Sequence, residues 1–377
     1  MGKFHRRPAL RIAAVVFALG LAAAACSDDT TTTTGSGGTS GGGGSSGEPK
    51  KIALLLPETK TARYETQDKP LFEAKVAEIC SECEVLYSNA DQDAAKQQSQ
   101  AEAALTNGAN VLVLDPVDSA SAAAIVTKAK QQNVPVISYD RLIKDADIAA
   151  YISFDNEQVG KLQATALVEK LEDDGKGSGT IVMINGSPTD NNATLFKKGA
   201  HSVIDESDLT VGAEYDTPDW SPDKAQSEMD QATTQLGKDG FVGVYAANDG
   251  TAGGAISSMK GGNVVPIPPV TGQDAEIAGI QRILSGEQYM TVYKAVKPEA
   301  EGAAIMAVAL ARGEQLPSDL VKDKVNNNTK DVPSVILVPV AVTKDNVKST
   351  VIADGFWTAD QICTDAYKTA CEEAGIS

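Results

Sequence analysis

From Lys51 onward the chain alternates short, almost wholly apolar runs with longer stretches of helical spacing, and this alternation restricts the fold more than any other feature. Strand-like runs at 51–57, 84–88, 111–114 and 134–139 are separated by helix-like segments at 68–79, 94–106 and 119–131. Runs with no polar face are strands buried on both sides, which requires a parallel sheet covered by helices above and below. The pattern then restarts, with strand-like runs at 151–154, 180–185, 210–215, 241–246, 270–273 and 289–293 between helical segments at 158–171, 192–204, 224–236, 252–259 and 275–284. A helix at 298–311 and a strand at 334–342 follow. The expected fold class is α/β, with two doubly wound parallel-sheet lobes, since the chain beyond the N-terminal region is too long for one ordinary core.

Ahead of this series lie Lys3, Arg6, Arg7 and Arg11, an apolar stretch from Ile12 to Ala25, and Cys26. A basic start, a short apolar run and small residues before a cysteine form a secretory signal whose cleavage leaves a thiol for acylation, and the run is too short for the roughly 20 residues that span a bilayer. The expectation is a signal peptide over 1–25, a lipid anchor on Cys26, and a location on the outer face of the cytoplasmic membrane. Residues 26–49, rich in Asp, Thr, Gly and Ser, read as a flexible tether.

The chain carries a formal charge of −18, and the signal holds four basic and no acidic residues, so the remainder stands at −22. Such acidity excludes nucleic acid as a partner and otherwise reads as solubility. Beyond Cys26 the cysteines are Cys80, Cys83, Cys363 and Cys371. An even count in an exported chain reads as two disulfides with three possible connectivities, and the local pairs Cys80–Cys83 and Cys363–Cys371 are expected. A zinc site lacks ligands, because there is no second CxxC and His201 is the single histidine past the signal. No metal and no cofactor are expected.

Open α/β sheets bind ligands beyond the carboxyl ends of their strands. Just past those ends stand Arg63-Tyr64, Asp115, Asp140-Arg141, Asp155-Asn156, Asp190-Asn191-Asn192, Trp220, Asn248-Asp249, Gln273-Asp274 and Lys294. Helix capping alone accounts for an Asp or Asn at such a turn. It does not account for Arg141 beside Asp140, for Trp220 in a polar turn, or for Lys294 closing an apolar run. The candidate site is therefore Arg63, Tyr64, Asp140, Arg141, Asp190, Asn192, Trp220, Asn248, Asp274 and Lys294. Acceptors (Asp140, Asp190, Asp274), donors (Arg63, Arg141, Lys294), amides (Asn192, Asn248) and aromatic walls (Tyr64, Trp220) suit a polyol, whose hydroxyls donate and accept while its C–H face packs on rings. Three carboxylates against three cations suggest a neutral ligand rather than an anion.

Over residues 51 to about 356 the chain resembles the D-xylose-binding proteins of ABC sugar importers, within the type I periplasmic binding proteins. The matching stretches include 51–64, Tyr139-Asp140-Arg141-Leu142-Ile143, Tyr151 to Glu157, Gly186 to Ala193, Asn248 to Ile256, Gly272-Gln273-Asp274-Ala275, Met290 to Lys294 and Asp331-Val332-Pro333-Ser334. Tyr64 stands where that family often carries Trp. The resemblance implies a monomer that grips D-xylose, or failing that glucose or another hexose, between lobes joined by a three-crossing hinge and delivers it to an ABC permease. With crossings near Asp155-Asn156, Lys294-Ala295 and Asp331–Ser334, the N-terminal lobe is expected over 50–155 plus 295–333 and the C-terminal lobe over 156–294 plus 334–357. A Cys-containing tail, 358–377, lies outside the resemblance.

Other classes have less to work with. A Ser-His-Asp enzyme needs more than His201, and cations beside Asp140 and Asp190 would deny a carbohydrate-active enzyme its general acid. Gly175 to Gly179 precedes a strand, whereas a dinucleotide loop follows one. A sugar-sensing co-receptor, docking on a chemoreceptor or kinase ectodomain, needs the same pocket as a transport receptor.

Overall fold

The computed structural model describes residues 49–376. The expected signal peptide, Cys26 and all but the last residue of the tether lie outside the described residues. The first lobe opens with β1 (Lys51–Leu56), a wide helical turn at Tyr64–Asp68 leading into α1 (Lys69–Ile79), β2 (Glu84–Asn89), α2 (Ala94–Thr106), β3 (Val111–Leu114), α3 (Ala123–Gln131), β4 (Val136–Tyr139) and β5 (Ala150–Phe154). The second lobe comprises α4 (Asn156–Asp173), β6 (Thr180–Asn185), α5 (Asn191–Ile204), β7 (Thr210–Asp216), α6 (Pro222–Leu236), β8 (Gly243–Ala246), α7 (Asp249–Gly261), α8 (Ile277–Ser285) and β9 (Met290–Tyr293). The chain returns to the first lobe for α9 (Val296–Ala311), β10 (Asp323–Asn326) and β11 (Asp331–Leu337), then crosses again to β12 (Val340–Thr343) and the tail helices α10 (Ala359–Ile362) and α11 (Lys368–Glu373).

The first sheet runs β10-β11-β5-β4-β3-β1-β2 and is parallel except for the edge strand β10. Its buried runs feed two cores: Leu54, Leu56, Val113 and Ile137 pack beneath α1 and α9, while Ala53, Leu55, Leu112 and Leu114 pack against α2 and α3. Burial on both faces is the reason these strands carry no polar alternation. The second sheet is β7-β6-β8, extended through bridges at Val244–Val270 and Gln273–Val292 to the antiparallel pair β9-β12. Residues 270–273, expected as a strand, make these two bridges instead.

The third crossing falls later than the sequence suggests. Ser334–Leu337 pair in parallel with Tyr151–Phe154 of the first sheet, and Val340–Thr343 pair with β9 of the second. The apolar run 334–342 is therefore two strands in two lobes, broken at Val338-Pro339, where proline has no N–H to continue a ladder. The boundary expected between 333 and 334 moves to 338–339. The tail is also no appendage, since Ile362, Cys371 and Ile376 are buried in the same core as Ile280, Ile283 and Leu284 of α8. Both expected disulfides, Cys80–Cys83 and Cys363–Cys371, are present. Among the described residues no helix is long and apolar enough to cross a membrane.

Candidate functional site

The carboxyl ends of the two sheets face one another around a small cavity. It is lined by Thr61, Tyr64, Asp140, Arg141, Asp190, Asn192, Phe196, Trp220, Asn248, Gln273, Asp274 and Lys294. A larger open groove lies at the opposite ends of the second sheet, among Lys170, Tyr289 and the loop 264–269. That groove gathers no comparable set of buried charges, so the chemistry belongs to the smaller cavity.

Asp140 and Arg141 follow β4, with Asp140 in the left-handed region at φ 51°. The Tyr64 hydroxyl donates to Asp140 Oδ2 at 2.9 Å, and Lys294 Nζ lies 3.2 Å from Asp274 Oδ1 and 3.7 Å from Asp140 Oδ1. Burial alone would raise the Asp140 carboxyl, but Lys294, Arg63 and Arg141 outweigh it and hold the group at about 2. Asp140 is ionised throughout the working pH range.

Asp190 begins α5 and serves two purposes. Its Oδ1 accepts the Asn192 N–H at 2.8 Å as a helix cap, while Oδ2 accepts Trp220 Nε1–H at 3.1 Å and lies 3.1 Å from Arg141 Nε. Capping and binding are thus compatible readings of one carboxylate. Burial raises its pKa, and Arg141 opposes the rise. Trp220, at φ 53°, stands edge-on to Phe196 with ring centroids 6.2 Å apart. A Cβ at Gly186 would lie 2.0 Å from the indole, so only glycine leaves room for this wall. Asn248 lines the cavity while its Oδ1 caps α7 through Thr251 N at 2.8 Å.

The lobes touch directly. Asn192 Nδ2 donates to the Asp140 carbonyl at 3.0 Å, Ser119 N–H to the Thr189 carbonyl at 3.0 Å, Asn191 N–H to Ser119 Oγ at 3.1 Å, and Ala62 N–H to Glu276 Oε1 at 3.3 Å. This is a closed cleft.

Nine of the ten expected site residues line the cavity, and Arg63 does not. Its guanidinium is held behind the wall by Asp68 (2.6 and 3.0 Å) and Glu299 (2.6 Å), with Nη1 3.6 Å from Asp140 Oδ2. The expected balance of three carboxylates and three cations is also corrected. Asp68 and Glu299 crowd Arg63, while Asp115 and Glu58 lie 3.6 and 3.8 Å from Arg141, so seven buried carboxyls surround three cations. Burial drives the carboxyls of Asp115, Asp190 and Glu299 upward, and Arg141 beside the two aspartates and Arg63 beside Glu299 oppose the rise. Such a site rejects anions even more firmly than a balanced one. Thr61, Phe196 and Gln273 line the cavity outside the expected set. Gln273 stood among the strand-end residues, whereas Thr61 and Phe196, in a loop and mid-helix, gave no signal.

Comparison with known proteins agrees with this architecture. The family described as the periplasmic binding protein domain matches residues 52–315. The D-xylose-binding periplasmic protein of Escherichia coli (strain K12) is 38% identical over 310 residues, covering 81% of this chain and 90% of that one. Its namesake in Haemophilus influenzae is 36% identical over 83% and 92% of the two chains. An ABC transporter solute binding protein from Clostridium phytofermentans, solved with β-D-glucose bound, superposes with a TM-score of 0.77 at 31% identity, covering 83% of this chain and 100% of that one. The curated relatives are named as binding proteins, not as enzymes. On its matched length and its identity to them, the chain belongs to the periplasmic binding protein family.

Proposed function

We propose that this protein captures one neutral monosaccharide, D-xylose first among them, between its two lobes and delivers it to an ABC permease. The observation that carries the reading is a set of buried polar atoms lining the cavity. Asn192 Oδ1 and Gln273 Oε1 have no hydrogen-bond partner among the described residues, and the nearest charged partner of Asp274 Oδ1 is the Lys294 ammonium 3.2 Å away. A ligand whose hydroxyls donate to these oxygens and accept from Arg141 and Lys294 satisfies such a lining, and an aldose does so. The indole of Trp220 and the ring of Phe196 supply the apolar wall for its C–H face. The smallness of the cavity, closed between the lobes, favours a single ring over an oligosaccharide.

In this reading Tyr64, Asp140, Arg141, Asp190, Asn192, Trp220, Asn248, Asp274 and Lys294 bind the sugar, and Arg63 supports Asp140 from behind. The N-terminal lobe is 50–155 plus 295–337, and the C-terminal lobe is 156–294 plus 340–357 with the tail packed on it. The protein works as a monomer tethered to the outer face of the cytoplasmic membrane through Cys26. Glucose is the second reading, favoured by the sugar bound in the Clostridium phytofermentans protein. Calorimetry with D-xylose, D-glucose, D-ribose and myo-inositol tests the assignment. The expected result is tightest binding of D-xylose at micromolar affinity or better, about −8 kcal/mol, and no heat from any monosaccharide at millimolar concentration would overturn it.

A further inference from the structure

We infer that Asp115 is a positioning residue of this site, one that decides which partner the Nε–H of Arg141 serves; the inference rests on the assignment of Arg141 to the sugar pocket. Asp115 follows β3, is 0% exposed, and stands behind Arg141 rather than in the cavity wall. Its loop is fixed from below, because Gln97 Nε2 donates to the Asp115 carbonyl at 2.7 Å and Gln97 Oε1 accepts the Val117 N–H at 2.9 Å. The same loop reaches the guanidinium a second time, where the Pro116 carbonyl accepts Arg141 Nη1 at 3.4 Å.

Arg141 Nε lies 3.1 Å from Asp190 Oδ2 and 3.6 Å from Asp115 Oδ1, while Nη2 lies 3.8 Å from Glu58 Oε1. Nε carries one hydrogen and cannot serve both aspartates. Asp190 has other donors in Trp220 and the Asn192 backbone, and Glu58 has the Thr61 backbone N–H at 3.0 Å. Among the described residues neither oxygen of Asp115 has a hydrogen-bond partner, so of the three it is the carboxyl least able to carry charge in this setting. The charged and titratable groups facing it are Arg141, Asp140, Asp190 and Arg63, the Tyr64 hydroxyl, and Glu58 across the guanidinium. Burial raises its carboxyl well above the ordinary range, Arg141 opposes the rise, and Asp140 and Asp190 add to it.

Two arrangements follow. With Asp115 protonated, Nε is left to Asp190, and the bridge from the first lobe to the carboxylate that holds Trp220 is complete. With Asp115 ionised, it competes for Nε and weakens that bridge. Sugar binding therefore favours the protonated form: affinity falls as pH rises, and binding at alkaline pH takes up a proton.

The test is calorimetry with D-xylose on the wild-type protein and Asp115→Asn, at about pH 6 and about pH 9.5, each in two buffers of different ionisation enthalpy. The expected result is a wild-type loss of about tenfold in affinity with proton uptake at the higher pH, against less than about threefold and no uptake in the variant. The same pH profile in both proteins, or a flat wild-type profile without uptake, overturns the inference. Because Glu276, raised to about 8 and bonded to Ala62 across the cleft, titrates in the same window, Glu276→Gln is run beside them and is expected to keep the wild-type loss of affinity; its abolition of that loss also overturns the inference. Arg141→Ala at about pH 6 separates the two readings. If no sugar binds at any pH, the pocket assignment falls and the inference with it; if wild type binds and Arg141→Ala does not, a negative Asp115 result removes the inference alone.

Discussion

At the residue scale the site rests on buried charges that hold one another. Arg141→Ala would strip Asp190 of its guanidinium, and Asp274→Ala would leave Lys294 with Asp140 alone. Each should cost about 2–3 kcal/mol of sugar affinity, because a buried charged partner is left unpaired. Titration calorimetry measures this directly, and either variant binding at wild-type strength contradicts its place in the site. Asp249, fully buried near the cavity, makes a different prediction. Burial, opposed by Arg282 and Gln288, raises its carboxyl from 3.8 to about 7. A raised acid holds in the native state a proton that the unfolded chain gives up near pH 4, so its stabilising contribution is present below that value and is lost as pH rises through 7. Thermal unfolding should show Asp249→Asn gaining on wild type between about pH 5 and about pH 7, by up to about 1.4 kcal/mol per pH unit. A constant gap across that range would contradict it. The wall residues were legible because strand ends are where α/β folds keep ligands. The carboxyls behind the wall were not, because Asp68, Glu299 and Glu58 look like ordinary surface acids until the chain folds over them.

At the element scale the apolar strand runs were legible from burial on both faces, and helices α1 to α9 from their spacing. Strand β10 was not, since Asp323-Lys324-Val325-Asn326 is an exposed edge with a single apolar residue. The tail was hidden for another reason, namely that the contacts holding it to the body of the protein are long-range. Trp357, the residue that leads into the tail, donates its Nε1–H to the Ala275 carbonyl at 2.7 Å, next to Asp274, and Gln281 Nε2 donates to the Ile362 carbonyl of the tail at 3.0 Å. The tail thus buttresses the segment that presents Asp274 to the cavity. The Cys363–Cys371 bond, with a sequence separation of 8, closes this buttress. Replacing both cysteines by alanine should lower stability by about 2.5 kcal/mol on loop-closure grounds. Calorimetric unfolding measures it, and the same variant should weaken sugar binding if the tail holds Asp274 in place. Unchanged unfolding would mean that the tail is held by packing alone.

At the scale of the whole molecule, the lobes meet through backbone and side-chain bonds that involve no ligand, at Ser119–Thr189 and at Ala62–Glu276. Sugar then only has to favour this closed arrangement over an open one by its differential affinity. Small-angle scattering should show the radius of gyration falling when wild type is saturated with D-xylose and staying constant in Arg141→Ala; no compaction in wild type would rule out the clamp. The same architecture governs how the protein comes into being. β11 completes the first sheet against β5, and β12 completes the second against β9, so neither lobe is finished until the chain beyond residue 330 is present. A chain truncated after Thr329 should lose cooperative unfolding in both lobes at once, measurable by circular dichroism, and a surviving cooperative lobe would refute this. The order of the chain therefore defers folding: with β11 and β12 last to be made, both sheets stand open until the third crossing is complete, and the two lobes close in one late step.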